Sequence, residues 1–297
     1  MTEPSFTAKQ ATSLQFWRSL CPNLAIEGRF DVPSANLPDL DILLTHVKTE
    51  GYVNEPDVLP NQYVGRLRNA VRSLQEHGIP PAFAFVYDEF WLIFRSLSPF
   101  LTKVLGPEYR ILPAFWAWYV EPSDAAAGWT PHRDRPGAGI AADNAPDSLS
   151  IWLPLTDATP LNGCMYVLPA HLDESFRRRN WMESGETKFE GVNLQNIRAL
   201  PAPAGSLLGW NQALYHWGGR ASKLGRGPRC SISVEFQRGD KPALSSPLIH
   251  PEVLLPFRDR LGLIGHLTRR YAPFHRFHAP EILCLAAALE WKYGAKG

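Results

Sequence analysis

The chain has 297 residues, 45% of them hydrophobic and 20% charged, an ordinary composition for a folded protein. Its 30 basic and 29 acidic residues leave a net charge of +1, with no basic excess to draw it to nucleic acid or an anionic membrane. The four cysteines, Cys21, Cys164, Cys230 and Cys284, form no CxxC pair, which argues against a disulfide framework or a structural zinc and for a reducing compartment.

The first ten residues lack the apolar core of a signal peptide, so a cytoplasmic location is expected. Thr7 to Leu20 reads as a short helix ended by Pro22. Leu37 to Lys48 is a second helix, opened by Pro38 and Asp39, and a turn at Glu50-Gly51 leads into a strand at Tyr52-Val53. Asn61 to His77 and Asp88 to Leu105 are the next two helices, closed by Gly78 and by Gly106-Pro107. From Arg110 the pattern changes. Ile111 to Val120 is rich in aromatic and β-branched residues and reads as a strand with Trp116 and Trp118 on one face. Further strands are expected at Ser148 to Leu155, Cys164 to Leu168, Ser206 to Trp210, Ala213 to Trp217 and Cys230 to Gln237. Arg135 to Asp147 reads as a mobile loop, and Asp173 to Leu200 as polar and irregular. Pro251 to Tyr271 and Pro280 to Tyr293 are closing helices. No stretch approaches the roughly 20 apolar residues of a membrane span.

Helices, then many short strands, then helices argue for an α+β fold with an antiparallel core. Two packed sheets of such strands would form a jelly roll, a cupin-like double-stranded β-helix. One domain over residues 1–297 is expected, with a helical part to about 108, the jelly roll over about 109–240 and C-terminal helices over about 241–297.

The chemistry concentrates at Trp129-Thr130-Pro131-His132-Arg133-Asp134. His132 and Asp134, two apart on an extended backbone, point to one side, as two metal ligands must. His216, in Leu214-Tyr215-His216-Trp217-Gly218-Gly219, is the candidate third ligand, although a single His in an apolar strand is often only a buried His bonded to backbone. Two His and one carboxylate with open positions suit non-haem Fe(II) and O2. Arg229 and Ser231 share a strand face. An arginine inside a strand needs an anion, which a dicarboxylate cosubstrate would supply, though a protein carboxylate would also serve and Arg220 and Arg226 compete for the role.

These pieces, in this order, resemble the phytanoyl-CoA dioxygenase family of Fe(II)/2-oxoglutarate oxygenases. Glu50-Gly51-Tyr52-Val53 looks like its opening segment, and His132-x-Asp134 like its metal pair. Trp152 to Cys164, with Asn162-Gly163, looks like its central strand and turn, followed by Tyr166-Val167-Leu168-Pro169. His216 to Gly219 looks like its distal His stretch, and Arg229 to Ser233 like its oxoglutarate-binding strand. Pro169-Ala170-His171 is one residue shorter than the family's usual loop, and the strand before the metal pair carries Phe115, Trp116 and Trp118 where many relatives have a polar residue. Asp134 is the carboxylate that halogenases of the superfamily lack, so it argues for oxygenation.

The resemblance implies Fe(II), with 2-oxoglutarate and O2 as cosubstrates. His132, Asp134 and His216 would be the metal ligands and catalytic residues; Arg229, Ser231 and Trp152 would bind the cosubstrate. The expected reaction is hydroxylation, desaturation or ring closure at an unactivated C–H of a small-molecule substrate, with release of succinate and CO2. Trp116, Trp118, Trp129, Trp210 and Trp217 are candidate pocket walls, each open also to plain core packing. Arg135 to Asp147 and Arg177 to Ile197 are candidate lids, and Arg177-Arg178-Arg179 is a solvated run or a contact for an anionic substrate. A monomer or homodimer with no nucleic-acid or membrane partner is expected. A binding protein with a relic site and a zinc hydrolase on the same triad are the alternatives.

Overall fold

The computed structural model describes residues 6–28, 32–122, 130–135, 139–141, 143–176, 192–273 and 280–294. Among these residues eight strands form two antiparallel sheets. The larger has the order β1-β6-β3-β8-β2 and the smaller β5-β4-β7. The strands are β1 (Tyr52–Glu55), β2 (Arg110–Val120), β3 (Ser148–Pro154), β4 (Met165–Val167), β5 (Arg198–Leu200), β6 (Leu207–Asn211), β7 (His216–Gly218) and β8 (Arg229–Gln237). This is the expected α+β architecture, with the two sheets that a jelly roll requires.

The helices before the sheets are α1 (Ala8–Ala11), α2 (Leu14–Leu20), α3 (Leu40–Thr49), α4 (Asn61–Glu76), α5 (Glu89–Arg95) and α6 (Ser98–Leu105). Two expected single helices are each broken in two. The Thr7–Gln10 capping box opens the short α1, and Ser13, which accepts from Phe16 N, starts α2 anew two residues after α1 ends. The second break precedes Pro99, which sits in the first turn of α6, where its missing N–H costs nothing. A 3-10 turn over Pro81–Val86 and strand β5 carry too little periodicity to be read from sequence.

Strand alternation divides the core. Phe115, Ala117, Ile151, Leu153, Ile232 and Val234 face the helical layer, while Trp152, Leu208 and Trp210 lie with β4 residues between the sheets. After β8 come α7 (Phe257–Tyr271) and α8 (Pro280–Tyr293). Helix α7 packs on α8, on β2 and on the Pro81–Val86 turn, and its last residue, Tyr271, reaches the cavity between the sheets. The described part of the expected mobile loop is a small hairpin, with Ile140 bridged to Pro146 and Asp147 N donating to Gly139 O at 2.9 Å. The Arg177–Arg179 run and most of the second candidate lid lie outside the described residues. Among the described residues no helix is long and apolar enough to cross a membrane.

Candidate active site

A backbone bridge between His132 and His216, N to O at 3.1 and 3.0 Å, ties the end of the metal-pair segment to β7. It brings His132, Asp134 and His216 together, with one possible ligand atom from each lying within 4.8 Å of the others. Asp134 Oδ1 is 3.4 Å from His132 Nε2 and 3.3 Å from His216 Nε2. With bonds of about 2.1 Å, two ligands at right angles on one metal lie about 3 Å apart, so the donors are spaced for one ion.

The surrounding groups leave those donor atoms directed inward. His132 Nδ1 faces Thr130 O at 2.7 Å and His216 Nδ1 faces Leu214 O at 3.1 Å. A carbonyl only accepts, so both Nδ1 atoms carry the proton and both Nε2 atoms offer a lone pair. Asp134 Oδ2 accepts from Ser150 Oγ at 2.6 Å and Trp210 Nε1 at 3.0 Å, which leaves Oδ1 for the metal. Burial works to raise the Asp134 carboxyl pKa, but when the rings are protonated at Nε2 as well, as in the metal-free site, the charge of His216 and the hydrogen bonds of both histidines outweigh it and hold it well below the usual carboxylate range; a metal ion takes the place of those protons. Trp210 also stacks near His216, ring centroids 4.6 Å apart.

Arg133, between the two ligands, points the other way. It is buried, pairs with Asp173 at 2.8 Å, donates to Ser175 Oγ at 2.7 Å and to Ala213 O, and lies over the Tyr215 ring at 3.8 Å. The turn carrying both ligands is therefore anchored from behind.

Arg229, at the start of β8, is buried on the face that also carries Ser231, Ser233 and Glu235. It donates to Ser231 Oγ at 3.0 Å and lies 5.6 Å from the Trp152 ring. Among the described residues it meets no carboxylate, and its Nε has no hydrogen-bond partner. Burial lowers its pKa to about 10. Arg220 and Arg226, its competitors from sequence, are exposed. The Asn162-Gly163 turn backs this corner. Gly163 has φ of +89° and a Cβ there would come within 2.7 Å of Gly219 O, so only glycine fits.

The triad and Arg229 open on one cavity of about 630 Å³, counting its mouth. Trp116, Trp118, Trp152 and Trp210 line it. Trp217 does not: it follows His216 on β7, so it points to the opposite face, where it stacks on Tyr166 at 5.8 Å. Trp129 lies outside the described residues. Ser150, Glu235 and Tyr271 also line the cavity and were missed from sequence. Period-two counting back from Trp152 and on from Arg229 reaches the first two; Tyr271 arrives from a helix end with no local signal. Glu235 Oε2 accepts from Arg135 Nε at 2.7 Å and from Gln212 Nε2 at 2.9 Å. Burial, with the Asp134 charge, raises the Glu235 pKa against the pull of Arg135.

No curated protein matches the sequence significantly. Among solved structures, the non-heme alpha ketoglutarate dependent carbocyclase SnoK from nogalamycin biosynthesis is 17% identical, with a TM-score of 0.54 over 73% of this chain and 99% of that one. It shares the fold. The epimerase SnoN from the same biosynthesis is 17% identical with a TM-score of 0.49, over 70% of this chain and 87% of that one. Iron-bound HygX from Streptomyces hygroscopicus is 17% identical with a TM-score of 0.49, over 70% and 89%. The profile of the family described as Phytanoyl-CoA dioxygenase (PhyH) matches residues 107–226, the stretch from just before β2 to beyond His216. Over that stretch the chain is similar to the phytanoyl-CoA dioxygenase (PhyH) family.

Proposed function

We propose that this protein is an Fe(II)- and 2-oxoglutarate-dependent oxygenase acting on a C–H bond of a small molecule, in a single domain. The observation that carries the reading is Arg229: a buried guanidinium with no carboxylate partner among the described residues, opening on the same cavity as a two-His, one-carboxylate cluster. A buried unpaired charge is expensive, and a dicarboxylate ligand removes the expense. In this reading His132, Asp134 and His216 hold the metal. Arg229 and Ser231 take the distal carboxylate of 2-oxoglutarate, and Trp152 walls its carbon chain. Iron with 2-oxoglutarate and O2 supplies the oxidation of the C–H bond, with release of succinate and CO2. The protein's own part is to orient the ligands through Thr130 O, Leu214 O, Ser150 and Trp210, and to keep water from the aromatic-walled cavity. A zinc hydrolase has no use for Arg229. The SnoK and SnoN names, an alpha ketoglutarate dependent carbocyclase and epimerase, fit a reading in which the outcome at the C–H bond extends beyond hydroxylation. Free cysteines, with Cys284 exposed, fit a reducing compartment, and we place the protein in the cytoplasm.

The test is succinate formation from 2-oxoglutarate with Fe(II) and ascorbate, alone and with candidate substrates. His132→Ala is expected to abolish it. Turnover at the wild-type rate by that variant, or activity that needs zinc and ignores 2-oxoglutarate, would overturn the proposal.

A further inference from the structure

Glu235 stands out among the cavity residues that the proposed cofactor chemistry does not use. Its Oε2 is taken by Arg135 and Gln212, while Oε1 has no hydrogen-bond partner among the described residues and is not sealed from the cavity. Beside it, Trp116 and Tyr271 meet edge to face, centroids 5.1 Å apart at 88°, forming an aromatic corner in the cavity wall.

Resting on the cofactor reading above, we propose that this corner takes a neutral, ring-bearing substrate and that Glu235 Oε1 accepts a hydrogen bond from an O–H or N–H on it. Charge decides the neutrality. Among the described residues in and around the cavity, Asp134 and Glu235 carry two negative charges and Arg135 and Arg229 two positive ones. Fe(II) would add two positive charges and the 2-oxoglutarate dianion two negative ones, its distal carboxylate on Arg229. The sum over these groups is zero, so none of them is left over for an ionic substrate group, which would be desolvated without a partner. The aromatic corner offers a face and an edge to a flat ring. Oε1 is the acceptor a donor group on that ring would satisfy. Glu235 thus sets specificity by selecting a substrate with a donor.

The inference is tested by calorimetric binding of 2-naphthol, 2-methoxynaphthalene and 2-naphthoate to the anaerobic protein loaded with Fe(II) and 2-oxoglutarate. Loading is followed separately by its visible charge-transfer band. We expect 2-naphthol to bind about tenfold tighter than its methyl ether, because the ether leaves the carboxylate unpaired. The naphthoate is expected to bind more weakly still. In Glu235→Gln, the Arg135 and Gln212 donors claim the amide oxygen, so an amide N–H turns to the cavity and the preference for naphthol over the ether disappears or reverses. Thermal melting with an unchanged midpoint shows that this variant is folded. Equal binding of naphthol and ether, tighter binding of naphthoate, or no binding of any of the three to the loaded protein overturns the inference. Absence of the band overturns the cofactor reading, and the charge balance with it.

Discussion

Ser150 Oγ donates to Asp134 Oδ2 at 2.6 Å, and that bond fixes which carboxylate oxygen of Asp134 faces the two histidines. Trp210 Nε1 reinforces it at 3.0 Å. Neither residue is a candidate ligand, yet both orient Asp134, which is one. Ser150→Ala and Trp210→Phe are each expected to weaken Fe(II) or Mn(II) binding by about 10- to 100-fold. Calorimetric metal titration of the folded variants measures this. Unchanged affinity in both would mean that Asp134 needs no orienting.

Arg229 makes opposite predictions for the protein with and without cosubstrate. Arg229→Met removes the partner of a carboxylate and should weaken 2-oxoglutarate binding by about 2–5 kcal/mol. The same change removes a buried, unpaired charge, so the ligand-free protein should melt higher than wild type. Arg229→Lys keeps the charge but loses the planar fork and should restore little of the binding. Thermal melts with and without 2-oxoglutarate read both effects. A ligand-induced rise in Tm that survives in Arg229→Met would remove the residue from the site.

The His132–Asp134 pair and Arg229 were legible because extended backbone is periodic. An i, i+2 pair on it points to one side, and Arg229-x-Ser231 follows the same rule, whereas His216 was reached through the resemblance of its stretch to the family's distal His. The helix breaks were not legible, since Ser13 reads equally well as a helix residue or as a cap. Trp217 was assigned to the pocket because adjacent aromatics look alike in sequence; which of His216 and Trp217 faces inward depends on register against β4, where Val167 pairs with His216 and Tyr166 with Trp217. Arg133 had no assignable role from sequence. Its partner Asp173 is far along the chain, and only the folded loop brings them together.

That pairing gives a third prediction. Asp173→Ala removes the carboxylate that meets the buried Arg133 and is expected to cost about 3–5 kcal/mol of stability. Arg133→Met combined with Asp173→Leu should recover much of the loss, because breaking one half of a buried pair costs more than replacing both halves by apolar groups. Denaturant unfolding of the single and double variants separates the two. Metal affinity should fall in Asp173→Ala as well, since the anchored turn carries His132 and Asp134.

A second buried pair lies outside the cavity lining and joins distant parts of the chain. Asp88, just before α5, and Arg260, inside α7, form an ion pair in which both side chains are fully buried. Arg260 also donates to Val86 O at 2.8 Å and Leu255 O at 2.6 Å, and Asp88 accepts from Gly28 N at 3.0 Å. Because α7 ends at Tyr271 in the cavity wall, a loose α7 would disturb the aromatic corner as well as the stability. Arg260→Met is expected to cost about 3–5 kcal/mol. At temperatures where the variant remains folded, its metal affinity should stay near wild type, because Thr130, Leu214, Ser150 and Trp210, which orient the three side chains, all lie outside α7. Its binding of 2-naphthol should weaken with the displaced Tyr271. A variant that lost metal and naphthol binding in equal measure would show that α7 supports the whole cavity, with no separate effect on the corner.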